Sequence, residues 1–402
     1  MMKFEKKIVD FVTKYFGVFV VVGITIAAII IRCNMINYES ADFSLYLSRW
    51  YESLEMNGLR NTFMNGGIGD YNCPYVILLW VLTKIKLPAL ISIKIVSIMF
   101  DFGVALMAGL IVRKLLIFKK TKGHIRKYGF VITYSIVVLL PTVIINSALW
   151  AQCDAIYTFF VLASIICLLY KRNSLAFVML GCAFAFKLQF IFVLPVYLLL
   201  YLKNKEFSLL NFLWIPIMLI VLSLPAILCG YSVPQIFNTY FLQVGEYKAL
   251  TLNYPNIYQL FSGEYKYVSF VGYGLCVLLF AVLFCLVVRS PKKISASNLM
   301  TLFLFSVMVC VTFLPSMHER YAYMADVLGV IYLMAGGSAI IAILVESISL
   351  YGYFMSLFGN RVACGELLGL VPVGIVIYLG YSLKENFISI KSETGEKGIL
   401  KI

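Results

Sequence analysis

Charge is what this chain of 402 residues has least of: Asp, Glu, Lys and Arg together make up 13% of it. A soluble globular domain carries about twice that share, so that class is excluded. Histidine is nearly absent, at two residues, and the ten cysteines are scattered through apolar segments without Cys-x-x-Cys spacing, which argues against a metal site. The apolar runs do not alternate as those of a transmembrane β-barrel do, and no internal repeat is visible. The net charge of +14 is not gathered in one patch, so nucleic acid is not an expected partner.

Apolar length is what the chain has instead, with 62% hydrophobic residues in long runs. These predict an all-α, polytopic membrane protein of one domain, because only a helix satisfies its own backbone in lipid. Spans are expected near 15–33, 90–112, 128–146, 154–170, 174–187, 189–202, 208–229, 267–289, 297–315, 321–336, 338–358 and 364–383, about twelve with a range of ten to thirteen. The first run is long for a signal peptide and lacks a small-x-small site, so it reads as a span. With both termini cytoplasmic, 22 of the 33 Lys and Arg residues fall on the inner side, as the positive-inside rule requires. Breaks are expected at Lys187–Gln189 and at Gly336–Gly337.

Two long outer loops remain, 34–89 and 230–266. In the first, Glu39 and Asp42 stand at i, i+3, and Tyr46 and Arg49 continue that face if the segment is helical. Phe43, Tyr46, Leu47, Trp50 and Leu54 form an apolar stripe of the kind that lies along a bilayer surface. Tyr71–Lys84 is apolar but short, and reads as a re-entrant or surface-lying helix. The second loop is dense in Tyr and Asn, which fits an interfacial belt, with stacking on sugar rings as the other reading.

Polar residues at membrane edges cost roughly 2.5–3.5 kcal/mol each when ionisable and usually mark a site. Asp42, Asp70, Gln152, Asp154, Lys187, Gln189, His318, Glu319 and Arg320 all fall at outer span ends or outer loops. Asp154 opens a helix and reads either as a helix-terminus charge or as a site residue. Lys187 interrupts an apolar stretch, where it either snorkels or neutralises an anionic headgroup or Asp154. Leu314–Tyr321 sets a histidine, a carboxylate and a guanidinium side by side, and the guanidinium fork suits phosphate oxygens. Lys94 and Asp101, seven apart on one helix, are expected to satisfy each other.

The segments Glu39-Ser-Ala-Asp-Phe-Ser-Leu-Tyr-Leu-Ser-Arg-Trp-Tyr51, Tyr71-Asn-Cys-Pro-Tyr75, Trp150-Ala-Gln-Cys-Asp154, Phe186-Lys-Leu-Gln189 and Met317-His-Glu-Arg-Tyr321 occur in that order. Together they resemble bacterial relatives of the second mannosyltransferase of GPI-anchor synthesis, within the C-type glycosyltransferase superfold (GT-C). The resemblance spans roughly residues 15–360. It departs in the first loop, where Glu39 and Asp42 replace an adjacent acidic pair, and at Asn72-Cys73-Pro74, which replaces a Tyr-Pro-Pro-rich stretch. It implies transfer of a hexose from a polyprenyl-phosphate donor to a glycan or glycolipid of the cell envelope, on the outer face and with inversion. Asp42 would be the general base, with Glu39 orienting it or touching the acceptor. Lys187, Arg320 and His318 would hold the donor phosphate, and Asp154, Gln152, Gln189, Glu319, Tyr321, Trp50 and Asp70 would bind or orient substrate. No cofactor is implied, a metal is not indicated, and nothing speaks to oligomeric state. A lipid-linked-sugar flippase or other transporter is the alternative, and would need paired charges near the bilayer midplane.

Overall fold

A computed structural model describes residues 2–69, 71–205, 207–261, 263–359 and 365–388. Of the described residues, 81% are helical. A long first helix, α1 (Met2–Cys33), is followed by the first loop, which holds a π-helical turn (Phe43–Leu47), α2 (Ser48–Met64) and α3 (Cys73–Leu82). Next come α4 (Ala89–Phe118), α5 (His124–Val138), α6 (Pro141–Ile144), α7 (Asp154–Leu169), α8 (Asn173–Phe186), α9 (Leu194–Asn204), α10 (Trp214–Leu222) and α11 (Leu224–Leu228). The second loop carries α12 (Val233–Gly245) and strand β1 (Thr251–Leu252). After it run α13 (Tyr265–Arg289), α14 (Ala296–Phe313), strand β2 (Met317–His318), α15 (Tyr323–Met334), α16 (Ala339–Phe358) and α17 (Leu370–Ile388).

Among the described residues, six helices are long and apolar enough to cross a membrane: α1, α4, α13, α14, α16 and the segment Glu366–Ile388. A seventh forms if α5 and the following segment, bent by 53°, count as one span. Pro141 sits at that bend, where it has no N–H to donate and crowds the preceding turn. The other expected spans are helical but short. Asp154–Leu169, Asn173–Phe186, Leu188–Asn204 and Leu209–Leu222 belong to the 10–17-residue class, and α15 has 12 residues. The two expected breaks account for part of this. Lys187 is extended (φ −155°, ψ 137°) and α8 stops before it, while Gly336 takes φ 93° between α15 and α16.

Helix α14 is the buried axis, with 94% of its apolar window enclosed, so its C-terminal end delivers the following turn to the interior. Around it pack α15, α17 and α13, while α4 lies against α5 and α7. A second apolar cluster joins the first loop to the bundle: Phe43, Leu47, Tyr51 and Leu54 with Tyr75, Leu79, Ile93, Ile156 and Leu219. The loop stripe therefore faces protein rather than a bilayer. Phe43, Leu47 and Leu54 are buried, Tyr46 is exposed, and Trp50 is half-buried. The stripe divides because the π-helical turn carries more residues per turn than an α-helix, so the phase assumed for an α-helix slips.

Candidate active site

The first loop is fastened by a residue that sequence reasoning passed over. The Ser40 hydroxyl donates to the Trp150 carbonyl (3.0 Å) and accepts from the Phe43 N–H (3.2 Å). That second contact is a helix N-cap, so the helix begins after Ser40 and Glu39 stays outside it. Asp42, in the first turn, is thereby set against the Trp150–Asp154 turn, and Gln152 Nε2 donates to its Oδ2 at 2.7 Å. The turn itself needs a left-handed alanine, Ala151 at φ 62°. Such a conformation costs an L-residue about 1–2 kcal/mol, and Ala151 is fully buried, where surrounding packing can hold it.

Asp154 opens α7 without capping it. Its Oδ1 accepts from Lys187 Nζ at 2.5 Å, and its Oδ2 accepts from Asn146 Nδ2 at 3.0 Å. Asn146 also donates to the Tyr353 hydroxyl (3.0 Å). Lys187 reaches Asp154 because the break after α8 turns its side chain inward, so of the two readings for each residue the Lys187–Asp154 pairing is the observed one.

The third piece is the turn after α14. Met317–His318 pairs in parallel with Thr251–Leu252, and the Ser316 hydroxyl bonds the carbonyls of Tyr247 (2.8 Å) and Ala249 (2.9 Å). The second long loop thus clamps this turn. Tyr247 packs edge-on against the His318 ring at 5.1 Å between centroids, and Tyr321 stands 5.1 Å from it on another side. Arg320 Nη1 donates to Glu319 Oε1 (3.1 Å) and to Asp42 Oδ2 (3.5 Å), while its Nε lies 3.9 Å from Asp154 Oδ2.

These pieces, far apart in sequence, line one cavity of about 610 Å³. Asp42, Trp50, Gln152, Lys187, Gln189, His318, Glu319, Arg320 and Tyr321 are on its walls. Its three carboxylates, counting Asp154 just behind the wall, differ sharply in exposure. Asp42 is 32% exposed, Glu319 3% and Asp154 0%. Both side-chain contacts to Asp42 among the described residues fall on Oδ2, and the residue lines the cavity. Burial holds the His318 imidazole below its ordinary pKa, and the positive charge of Arg320 adds to this against the opposing pull of Glu319. Burial pushes Glu319 up, but the hydrogen bond from His318 and the Arg320 charge outweigh it, so the net direction is down. A neutral His318 offers one N–H donor rather than a full charge. Among the described residues, no three His, Cys, Asp or Glu side chains are grouped as a metal site.

Several expectations change. Glu39 is exposed and does not line the cavity, because the helix starts after it. Asp70 lies outside the described residues. Lys94 and Asp101 do not satisfy each other. The Lys94 ammonium caps the carbonyls of Met35, Ile36 and Tyr38 at 3.0, 3.1 and 2.6 Å. Asp101 accepts from Arg32 Nε (3.1 Å) and Nη2 (3.0 Å), from the Ser147 hydroxyl and from the Tyr323 hydroxyl (3.3 Å). This Arg32–Asp101 pair is the kind of buried charge pair that a transporter reading asks for, but it is sealed, at 1% and 0% exposure, and does not line the cavity described above. The only sequence signal for Arg32 was a charge one residue before the end of a span. Ser40 and Asn146 carried no signal beyond being polar next to apolar runs.

The fold defines a class: an all-helical protein with several membrane-length apolar helices, which marks a multi-pass membrane protein. No protein-family model matches the chain, and no curated protein is significantly similar to it.

Proposed function

We propose that this protein is a GT-C-like membrane glycosyltransferase that moves a hexose from a polyprenyl-phosphate donor to a cell-envelope acceptor. The observation that carries this reading is the meeting of Asp42, Lys187 and Arg320 in one cavity, with Asp42 the only one of the three carboxylates left substantially exposed. In the reaction, an acceptor hydroxyl attacks the anomeric carbon while its proton passes to the Asp42 carboxylate. The bond from that carbon to the phosphate oxygen breaks, and polyprenyl phosphate leaves with the electron pair. Charge grows on the departing phosphate where Lys187 and Arg320 stand, and fixed cations there stabilise the transition state more than the ground state. Attack opposite the leaving group inverts the anomeric centre. Neutral His318 contributes a hydrogen bond, and Trp50 offers a ring face to a sugar.

The full topology belongs to this proposal: twelve crossings with the short helices included, both termini cytoplasmic and the cavity outside. Labelling of single cysteines from the outer side should reach position 42 and miss position 122; the reverse pattern inverts the topology and removes the mechanism. The primary test is transfer from radiolabelled polyprenyl-phosphate hexoses by purified protein beside Asp42→Asn. Loss of a general base costs about 10²–10⁴-fold in turnover, while the exposed position should leave folding intact. Turnover by Asp42→Asn within threefold of wild type would remove Asp42 as the base. Donor binding with no turnover by either protein, together with transbilayer movement of the lipid, would favour the flippase.

A further inference from the structure

A second cavity, of about 540 Å³, lies at the other end of the bundle from the one described above. Helix α4 connects the two ends. Lys94 near its start is tied to the first loop, and Arg113 lies about 28 Å further along the axis at ~1.5 Å per residue. Arg113 lines the second cavity with Arg126 and Lys127 of α5, and Ile117, Phe130 and Val131 supply an apolar wall. No carboxylate lines it. Among the described residues, Arg113 and Arg126 form no ion pair or hydrogen bond, and Lys127 lies 5.0 Å from the Tyr128 ring. The sequence explains the imbalance, because no Asp or Glu occurs between Asp101 and Asp154. Helix α5, 15 residues long, begins at this cavity behind Gly123, which offers no side-chain cap. Its first N–H groups add partial positive charge to that of the side chains.

Positive-inside topology accounts for basic residues in this loop, but not for three of them, all exposed, around one open pocket whose wall carries no carboxylate. We infer that this cavity binds the phosphate headgroup of an anionic phospholipid. Two forked guanidinium groups suit phosphate oxygens. The apolar wall points to a lipid rather than a free anion: Ile117 is exposed on α4, as are Ile125 and Ile132 on α5, so acyl chains would continue along helix surfaces already open to lipid. Basic pockets between spans are a recurrent form of lipid recognition. The site is independent of the transferase reading, and its test does not use turnover.

The test uses purified full-length protein in detergent at ~0.15 M salt, where charges beyond about 8 Å are screened. Phosphatidylglycerol, phosphatidylcholine with the same chains, or inorganic phosphate is added, and bound lipid is read by native mass spectrometry beside the melting temperature. Wild type should retain phosphatidylglycerol and be stabilised by it, and should respond to neither of the others. Arg113→Gln/Arg126→Gln should weaken retention roughly 30-fold, at ~5-fold per charge removed. Lys171→Gln/Arg172→Gln takes the same charge from an exposed turn outside the cavity, and should change retention less than about threefold. Equal losses in the two double variants overturn the site. So does equal retention of the two lipids by wild type, a comparison that needs no variant to fold. Protection by inorganic phosphate alone overturns the lipid assignment.

Discussion

Replacing Asp154 by Asn tests whether the cavity's cations are held in place by buried carboxylates. Asp154 is fully enclosed, and Lys187, at 12% exposure, has its ammonium 2.5 Å away. Asparagine keeps the shape but removes the charge, leaving an ammonium largely out of water without its counter-ion. Breaking a buried pair from one side typically costs about 3–5 kcal/mol, because the surviving charge is stranded. Removing both charges with Asp154→Asn/Lys187→Met strands neither, so most of that loss should return. Recovery will be incomplete, since Asn146 Nδ2 and Arg320 Nε also face Asp154 Oδ2. The measurement is a double-mutant cycle on unfolding free energy in mixed detergent micelles. A coupling of at least ~2 kcal/mol is expected, within the range for contacting groups. Additivity of the two single variants within ~0.5 kcal/mol would refute the reasoning, because it would mean that water already solvates Lys187.

Arg320→Ala should lower turnover with polyprenyl-phosphate sugar about 100-fold, the scale for losing one preorganised donor to developing charge, and Arg320→Lys should not restore it, because a single ammonium cannot face Glu319 and Asp42 as Nη1 does and also Asp154 as Nε does. Transfer kinetics with both variants check this, and a wild-type rate in either removes the phosphate assignment. Folded His318 titrates below its unfolded value near 6.5, so between those two values the unfolded chain binds more protons and stability rises with pH. Acidification from pH 7 to 5 should therefore destabilise wild type, and His318→Gln should flatten that limb of the stability curve; an unchanged slope in the variant refutes it. Ser40→Ala should cost about 1 kcal/mol through loss of the cap and should also lower turnover, with Ser40→Thr restoring both. A stability loss without any change in turnover would show that the tether to Trp150 does not position Asp42.

The clustering of Asp42, Gln152, Lys187, Glu319 and Arg320 was legible in the sequence because such groups are costly at a membrane edge and alternating topology sorted them to one side. Their pairing was only partly legible. Lys187 with Asp154 could be named as one of the readings, since both were expected at outer ends of neighbouring spans. Arg32 with Asp101 could not, because the partners are 69 positions apart and spacing along one helix favoured Lys94 instead. Glu39 misled for a local reason: the i, i+3 rule holds only inside a helix, and the Ser40 cap starts the helix one residue too late. The apolar stripe of the first loop misled because burial against protein and burial in lipid leave the same pattern in sequence. Span number was the least legible quantity, because short helices buried in a bundle need not be as long as the bilayer is thick.

The grading of the three carboxylates has a consequence for how donor binding and base catalysis are linked. Arg320 Nη1 is shared, closer to buried Glu319 at 3.1 Å than to exposed Asp42 at 3.5 Å. On the proposed reading, an arriving phosphate meets Arg320 from the cavity side, where Asp42 is its competitor and the weaker of the two holders. Donor binding would then draw the guanidinium off Asp42 Oδ2 and leave that carboxylate freer to accept a proton, so the base becomes available once the donor is in place. The same geometry makes Asp42 an obstacle to the anion until that exchange occurs. Asp42→Asn should therefore abolish turnover while binding free polyprenyl phosphate more tightly, roughly fivefold for one partly exposed charge removed, about 1 kcal/mol. Inhibitor affinity measured on wild type and variant decides the matter: unchanged or weaker binding by Asp42→Asn means that the carboxylate and the phosphate do not compete for Arg320.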